Sequence, residues 1–575
     1  MLRWLNSLIA SSAAGRRNER GIALWHNGDY RDAEQVFRDI LRRTPGYAAA
    51  ASNLGMVLAA QGRMDEALAS LRHAVTLDPR HAGARVNLAA LLQQGGCTPE
   101  AVEHLREAHR LAPEDDTVTA NLLKPLMDLC DWPAVAAMTG EFRRLDAEQP
   151  MQSWGARLLP FESVLLPFPA DFQLRLARFH AGRVSAGQSP GTRGAPRRLA
   201  RKAEDGRLRI GYVSSDFRDH AMSHLTLGLY GMHDRSRFSI HAYSLGADDG
   251  SRYRRRIAAD CDRFTDVAAE SDAALAQRIA GDGIDILVDM NAHTGGGRPG
   301  VFALRAAPVQ VNFLGYPGTW GADFIDYIIA DRVIVPEGAE HHYSEAVVRM
   351  PGSYQCTDNT QPIAADCPPR SAQGLPEQAF VFCCFNRLFK LEPVMFGVWM
   401  DILRAVPGSV LWLSSGEALA EQRLREAAAA AGVSPQRLVF AGYAAKPDHL
   451  ARHRHADLFI DTLHYNAHTT ASDALWTGLP VLTCPGETFA SRVGASLVHA
   501  VEMPELVMPS LAAYKEAAIR YATDAASLAA LKDRLARQRL SCPLFDTQAY
   551  VRSLEQAYAR MHEQALKGER ASFQV

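Results

Sequence analysis

The run DLFIDTLHYNAHTTASDALWTGLPVLT, residues 457–483, reads as one folding unit. Residues 457–461 are a short apolar stretch of strand character, and 462–467 form a polar loop. From His468, Thr469 and Thr470 a helical pattern runs on until Gly478 closes it, and 480–483 is apolar again. Strand, loop, helix and strand in that order is the grammar of a parallel sheet. The junction between loop and helix carries the chemistry. Free N–H groups and the positive end of the helix dipole, with two hydroxyls and an imidazole beside them, suit a diphosphate. Thr469 or Thr470 serves equally well as a plain helix cap. Asp473 lies one turn further on, points the same way as Thr469, and suits the hydroxyls of a ribose.

Outward from this unit the same grammar repeats. Strands are expected at 380–385, 409–413 and 437–442 in the same half of the chain, and at 208–214, 238–244, 284–290 and 309–314 in an earlier half. Two doubly wound units in tandem place a ligand in the cleft between them, at the carboxyl ends of their strands. Lys390, five residues past the strand at 380–385, belongs at that edge and faces the cleft. Gly295, Gly296 and Gly297, followed by Arg298, Pro299 and Gly300, lack the lysine of a P-loop and have proline where a helix should start, so they read as a loop. Asp260-Cys261-Asp262 has the form of a metal-holding acidic pair, but it follows an arginine-rich segment rather than a strand. A helix N-terminus and Lys390 already answer the phosphate charge, so no metal is expected.

Upstream, the sequence repeats itself every 34 residues. Pro45, Pro79 and Pro113 align, as do Ala33, Ala67 and Ala101, and Gly28, Gly62 and Gly96. Gly21, Gly55 and Ala89 form a column of small residues where helices must cross closely, and the prolines fall where one helix pair hands over to the next. Leu54, Leu58 and Leu71, repeated as Leu88, Leu92 and Leu105, supply an apolar face that one helix pair cannot bury alone. This pattern resembles the tetratricopeptide repeat, with a degenerate further copy at 116–148. Asn53, Asn87 and Asn121 share the period. They are either a solvated helix face or an amide ladder that binds an extended peptide, since each amide both donates and accepts.

The chain has 575 residues, of which 47% are apolar and 22% charged, and a formal net charge of -2. This is the composition of a globular protein of several domains, without the basic field that draws nucleic acid. Nine scattered cysteines without a C-x-x-C pair fit neither a disulfide framework nor a zinc ribbon. The first 14 residues are too weakly apolar for a signal peptide and too short to span a bilayer. The expectation is a cytoplasmic protein with no membrane or nucleic-acid partner.

Four strings carry a resemblance: GYVSSDFRDHAMSHL (211–225), FLGYPGTWGADFIDYIIAD (313–331), FNRLFKLEP (385–393) and NAHTTASDALWTGLPVLTCPGETFASRVGAS (466–496). They closely resemble the O-GlcNAc transferases, and with the repeats the likeness covers nearly the whole chain. It implies an α-superhelix over residues 1–148, a connector at 149–206 containing a Gly/Pro/Arg-rich hinge from 185, and a two-lobed GT-B unit with lobes at 207–372 and 373–575. It further implies inverting, metal-independent transfer of GlcNAc from UDP-GlcNAc to Ser or Thr of proteins held by the repeats.

By the resemblance, His220 matches a histidine near the donor sugar that was long proposed as general base, and Leu314 and Gly315 face the sugar. Lys390 contacts the diphosphate, and His468, Thr469 and Thr470 bind phosphate. Ala444 reads the uracil through its backbone, Lys446 and His449 pack around the nucleoside, and Asp473 holds the ribose. The chain departs from the family at Arg387, where glutamine is usual, and at Tyr465 and Ala467, where animal relatives have Cys and Gly beside the sugar. The large insertion between the lobes of animal enzymes is absent, and a short stretch at 353–374 joins them. Two alternatives stand beside this reading: a SPINDLY-like protein O-fucosyltransferase using GDP-fucose, and a repeat scaffold with a degenerate transferase domain.

Overall fold

A computed structural model describes residues 13–187 and 206–575. The hinge expected from 185 therefore lies almost wholly outside the described residues. The chain divides into two compact units, one running through Leu158 together with Gly416–Arg423, the other formed by Leu159–Ser415 and Leu424–Val575.

Among the described residues up to Leu158, the first unit holds four antiparallel helix pairs: α1 (Ala13–His26) with α2 (Tyr30–Arg43), α3 (Ala48–Ala60) with α4 (Met64–Leu77), α5 (Ala82–Gln94) with α6 (Thr98–Leu111), and α7 (Asp116–Asp128) with α8 (Trp132–Glu148). The glycine column has a backbone cause. Gly28, Gly62 and Gly96 have φ of 85°, 78° and 75°, the left-handed turn that ends the first helix of each pair. In the degenerate fourth pair Cys130 takes that place at φ 50°. The small-residue column has a packing cause: a Cβ on Gly55 would lie 2.6 Å from Leu71 Cγ and 3.0 Å from the Ala67 carbonyl. The unit extends past the expected end at 148 through two 3₁₀ turns, Met151–Ser153 and Gly155–Arg157, with Trp154 stacked on Phe142.

The second unit opens with a short helix α9 (Pro160–Ser163) and α10 (Ala170–Ala186). Its first lobe carries β1 (Leu208–Ser214), α11 (Ala221–Thr226), β2 (Phe238–Ser244), α12 (Arg252–Asp260), β3 (Arg263–Asp266), α13 (Asp272–Gly281), β4 (Ile286–Asp289), α14 (Pro299–Ala303), β5 (Val309–Asn312), β6 (Tyr327–Asp331) and β7 (Ala346–Met350). The second lobe carries β8 (Val381–Cys384), α15 (Pro393–Ala405), β9 (Val410–Ser414), α16 (Ala418–Ala430), β10 (Leu438–Ala441), α17 (Lys446–Arg452), β11 (Leu458–Ile460), α18 (Thr469–Trp476) and β12 (Val481–Leu482). Then follow α19 (Val493–Ala500), α20 (Leu511–Thr523), α21 (Ala525–Gln538), α22 (Thr547–Leu566) and β13 (Phe573–Gln574).

Both sheets are parallel throughout, in the orders β13-β7-β6-β5-β4-β1-β2-β3 and β10-β9-β8-β11-β12. The strand order reverses beside β1, which lies between β2 and β4, and beside β8, which lies between β9 and β11. At such points neighbouring loops diverge and leave a crevice at the carboxyl edge. Several details differ from the sequence reading, which did not expect β3, β6 or β7. Pro299, taken as a bar to a helix, is the first residue of α14, where its missing N–H costs nothing. The chain's last strand pairs Phe573 with Val348 and so joins the first lobe's sheet rather than the second's.

The repeat packing gives a paired test. Gly140, inside α8, has open space where a Cβ would go, so Gly140→Ala should stabilise the protein by about 0.5–1 kcal/mol through helix propensity. Gly55→Ala should instead destabilise it by roughly 1–3 kcal/mol, since the same gain is outweighed by overpacking against Leu71. Denaturant unfolding of the full chain distinguishes the two signs.

Candidate functional site

The loop after β11 is organised by one carboxylate. Asp461, fully buried, accepts from the N–H of Thr462 at 2.8 Å and of Ala467 at 2.6 Å through Oδ1, and from Thr483 Oγ1 at 2.8 Å through Oδ2. The loop closes on itself as Thr462 Oγ1 donates to the Tyr465 carbonyl at 2.7 Å and Asn466 Nδ2 to the Thr462 carbonyl at 2.6 Å. These bonds fix where α18 begins, and with it His468, Thr469 and Thr470.

The end of β8 docks against that loop. Asn386 donates from Nδ2 to Thr462 Oγ1 at 2.8 Å, and its Oδ1 accepts from Thr470 Oγ1 at 2.5 Å. Lys390 ends a 3₁₀ turn, Leu388–Lys390, and donates to the Asn466 carbonyl at 3.0 Å. Burial draws its ammonium down from the usual lysine range to about 7, against the opposing pull of Asp461. Burial likewise raises the Asp461 carboxyl to about 6, against its N–H and hydroxyl donors and Lys390. His468 is held neutral, its basicity depressed first by burial and then by the Lys390 charge, and its Nε2 is buried with no partner among the described residues.

The facing lobe contributes the ends of β1, β4 and β5. His220 is the N-cap of α11, and its Nδ1 accepts from the Met222 N–H at 3.3 Å, with Asp216 Oδ1 at 3.6 Å. That bond puts the ring proton on Nε2, and burial keeps the ring neutral by lowering its pKa. Leu314 turns left-handed at φ 71°, and Gly315 then passes so close to β4 that a Cβ there would lie 1.9 Å from the Met290 carbonyl. Only glycine fits.

His220, Leu314, Gly315, Arg387, Lys390, His468, Thr469 and Thr470 line one cavity of about 460 Å³, together with Asn386, Phe161, Phe389, Tyr465, Tyr354 and Gln355 among others. Lys446, His449 and Asp473 form a second group reached along α18, and no hydrogen bond or ion pair joins Ala444 to it among the described residues. Lys446 Nζ lies 2.5 Å from Asp473 Oδ1 and His449 Nε2 3.8 Å from Asp473 Oδ2, while Arg452 Nε donates to His449 Nδ1 at 3.1 Å. Ala444 lies in the irregular segment between β10 and α17, next to the exposed Tyr443. The string Asp260-Cys261-Asp262 lies elsewhere, with Arg256 Nε 2.6 Å from Asp260 Oδ2 and Arg235 Nη1 2.7 Å from Asp262 Oδ2. Among the described residues, one group of potential ligands has atoms near enough to share an ion. It comprises Asp171, His341 and His342, none of which lines the cavity.

A family model described as Glycosyl transferase family 41 matches residues 129–366 and 362–554, and two tetratricopeptide repeat models match 18–82 and 58–124. The chain belongs to glycosyl transferase family 41. Within family 41 it is similar to the probable UDP-N-acetylglucosamine--peptide N-acetylglucosaminyltransferase SEC of Arabidopsis thaliana, 38% identical over 451 residues, which are 76% of this chain and 46% of that protein. The UDP-N-acetylglucosamine--peptide N-acetylglucosaminyltransferase of Caenorhabditis elegans is 32% identical over 467 residues, 62% of this chain and 41% of that one. The chain thus spans less than half the length of these curated relatives. Among solved structures, a mutant of the Thermobaculum terrenum O-GlcNAc transferase superposes with a TM-score of 0.70 at 27% identity, covering 97% of this chain and 99% of that one. No helix among the described residues is long and apolar enough to cross a membrane.

Several residues escaped the sequence reading of this family 41 site, Tyr354, Gln355 and Phe389 among them. Asp461 and Asn386 act through bonds to distant backbone and side chains, and no local spacing announces them. Phe161 precedes the first lobe's sheet yet lines the cavity. His224 donates toward Asp219 at 2.7 Å and feels the charges of Lys446 and Asp473, so it too faces the second group.

The lysine sets a pH dependence. A polyanion bound beside Lys390 favours the ammonium, which the empty site holds only below about 7. Binding above that pH must therefore take up a proton. For UDP, the ligand proposed below, affinity should fall by up to about tenfold per pH unit above 7, until pH passes the higher pKa of the bound state. Calorimetric titration of the full chain between pH 7 and 9 measures it.

Proposed function

We propose that this chain is an inverting protein O-GlcNAc transferase that needs no metal, moving GlcNAc from UDP-GlcNAc to Ser or Thr hydroxyls. The observation that carries the reading is the cradle around Lys390: an ammonium bound to the Asn466 carbonyl at 3.0 Å, in the same cavity as the N-terminus of α18. As the acceptor oxygen attacks C1 of the sugar, the bond from C1 to the phosphate oxygen breaks and its electron pair stays on UDP. Lys390 and the N-terminus of α18 answer the charge that grows there. Asp473, Lys446 and His449 take the nucleoside, and Leu314 and Gly315 bring backbone against the sugar.

The tautomer of His220 supports a donor's part rather than a base's. Its Nδ1 lone pair is already used by Met222, so Nε2–H points a proton, not a lone pair, at the ligand. The serine proton then leaves to a donor phosphate oxygen or to water.

The repeat unit is proposed to hold acceptor proteins. Asn53 Nδ2 donates to Asn18 Oδ1 at 2.9 Å and Asn87 Nδ2 to Ser52 Oγ at 3.1 Å, which ties neighbouring pairs together, while Asn121 Nδ2 bonds the Thr117 carbonyl at 2.7 Å. An acceptor would meet the remaining amide donors and acceptors of this row.

The test is incubation of the full chain with labelled UDP-GlcNAc, UDP-GalNAc, UDP-Glc and GDP-fucose and a protein lysate, in excess EDTA, followed by mapping of the modified side chain. GlcNAc on Ser or Thr from UDP-GlcNAc is expected. Transfer only from GDP-fucose, or activity that EDTA abolishes and Mn²⁺ restores, overturns the reading. In the same assay Lys390→Ala should lower kcat by at least roughly 10²-fold with folding intact, the scale of losing one electrostatic donor from an active site. A surface lysine would change almost nothing.

A further inference from the structure

Tyr465 has no task in the reading above, yet it touches both groups on which that reading rests. The residue is 8% exposed. Lys390 Nζ lies 4.0 Å from the ring centroid, and the His468 imidazole stacks on it with centroids 4.6 Å apart and planes 25° apart. Phe161 meets the ring edge-on at 6.2 Å and itself packs edge-on against Phe389 at 6.3 Å. The ring cannot drift, because the backbone on either side of it is tied: the Tyr465 carbonyl to Thr462 Oγ1, and the Asn466 N–H to the Ala490 carbonyl at 2.9 Å.

We infer that Tyr465 is a positioning residue: its aromatic face holds the Lys390 ammonium in place beside the diphosphate and sets the plane of His468. The inference rests on the proposed role of Lys390. A lysine side chain has four rotatable bonds and a single hydrogen bond here, to Asn466, and one bond does not fix a direction. The negative face of an aromatic ring supplies the second restraint, and it favours the charged form over the neutral amine. A ring of this size also excludes water from the ammonium, which strengthens its field on a bound anion. A small residue in its place would leave the lysine free to swing and open to solvent.

The groups that face Lys390 are Asp461 at the end of β11 and Cys384 on β8, both of which favour its charge, with His468 and Tyr465 on the loop and Arg387 on its own turn. Of these, Asp461 titrates below the pH range used here, and His468 stays neutral through it.

The experiment is titration of UDP into the full chain at pH 7 to 9.5, for wild type, Tyr465→Phe, Tyr465→Leu and Lys390→Met, with thermal unfolding as the check on folding. Tyr465→Leu keeps the apolar volume but removes the ring face. The pH at which UDP affinity begins to fall should move toward acid by about half a unit or more in Tyr465→Leu, the size of one cation–π contact read at 1.36 kcal/mol per unit. It should stay within about 0.2 unit of wild type in Tyr465→Phe. Tyr465→Met replaces the leucine variant should that one fail to fold. An unmoved midpoint in the folded leucine or methionine variant overturns the inference, and so does a phenylalanine variant that shifts as far as leucine, since the hydroxyl would then be the active part. If the pH step survives in Lys390→Met, the lysine is not the titrating group, and its proposed role falls together with the inference. If the step vanishes there but ignores Tyr465, the role of Lys390 stands and this inference alone falls.

Discussion

One buried carboxylate holds the cleft together. Asp461 stands at the end of a three-residue strand, fully out of water, and spends both oxygens on the loop that follows and on Thr483 of the next crossover. A buried charge of this kind persists only when its acceptor capacity is filled, and here the loop backbone fills it. The loop is six residues of mixed polarity without regular structure, and its own bonds, from Thr462 Oγ1 to the Tyr465 carbonyl and from Asn466 Nδ2 to the Thr462 carbonyl, add to those of the carboxylate. Everything that follows it, including the start of α18, inherits its position from those bonds. Even the next helix defers to the carboxylate, since a Cβ on Gly494 would come within 2.3 Å of Asp461 Oδ2.

The two sheets make this local constraint consequential. Because every strand is parallel, all loops of one kind leave from one edge, and the reversal of strand order beside β1 and β8 opens a gap there. Residues scattered from Asp216 to Thr470 thereby reach a single cavity. The close approach of Gly315 to the Met290 carbonyl belongs to the same geometry, as does the return of β13 to the first lobe's edge, where α22 is tied to β6 by Tyr327 Oη donating to Gln564 Oε1 at 2.9 Å.

What the sequence displayed was whatever repeats or alternates. The 34-residue columns were legible because each answers one local demand, a left-handed φ at Gly28, Gly62 and Gly96 and a helix crossing at Gly55. Nine strands were legible as apolar runs, most with ends that proved one or two residues shorter, as at 286–289 and 458–460, whereas β6 and β7 were not singled out. β3 escaped because Arg263–Asp266 is an edge strand with charged ends and little apolar signal, and β13 because two residues carry no period at all. The lining of the cavity was legible where motif and strand end coincide, as at Lys390 and His468. It was not legible where a role depends on which partner a side chain meets, as for Asn386 and for the tautomer of His220. No spacing rule encodes a bond between residues 84 positions apart, such as that from Thr470 to Asn386.

The electrostatics of the empty cleft follow from its dryness. Burial lowers the basicity of His220, His224, His449 and His468 alike, and it draws Lys390 to about 7. Above about pH 7 Lys390 therefore adds little positive charge to the cavity, whose wall also carries Arg218 and Arg387. A bound diphosphate changes this, because a nearby anion restores the lysine proton that burial removed. Positive charge then appears where and when the ligand is present, in a site of low dielectric where it acts strongly. A neutral sugar gains nothing from this exchange, whereas a nucleotide diphosphate gains it in full. In the proposed reading, the desolvation of Lys390, which costs the empty protein part of its charge, thus helps to tell a charged donor from free sugar.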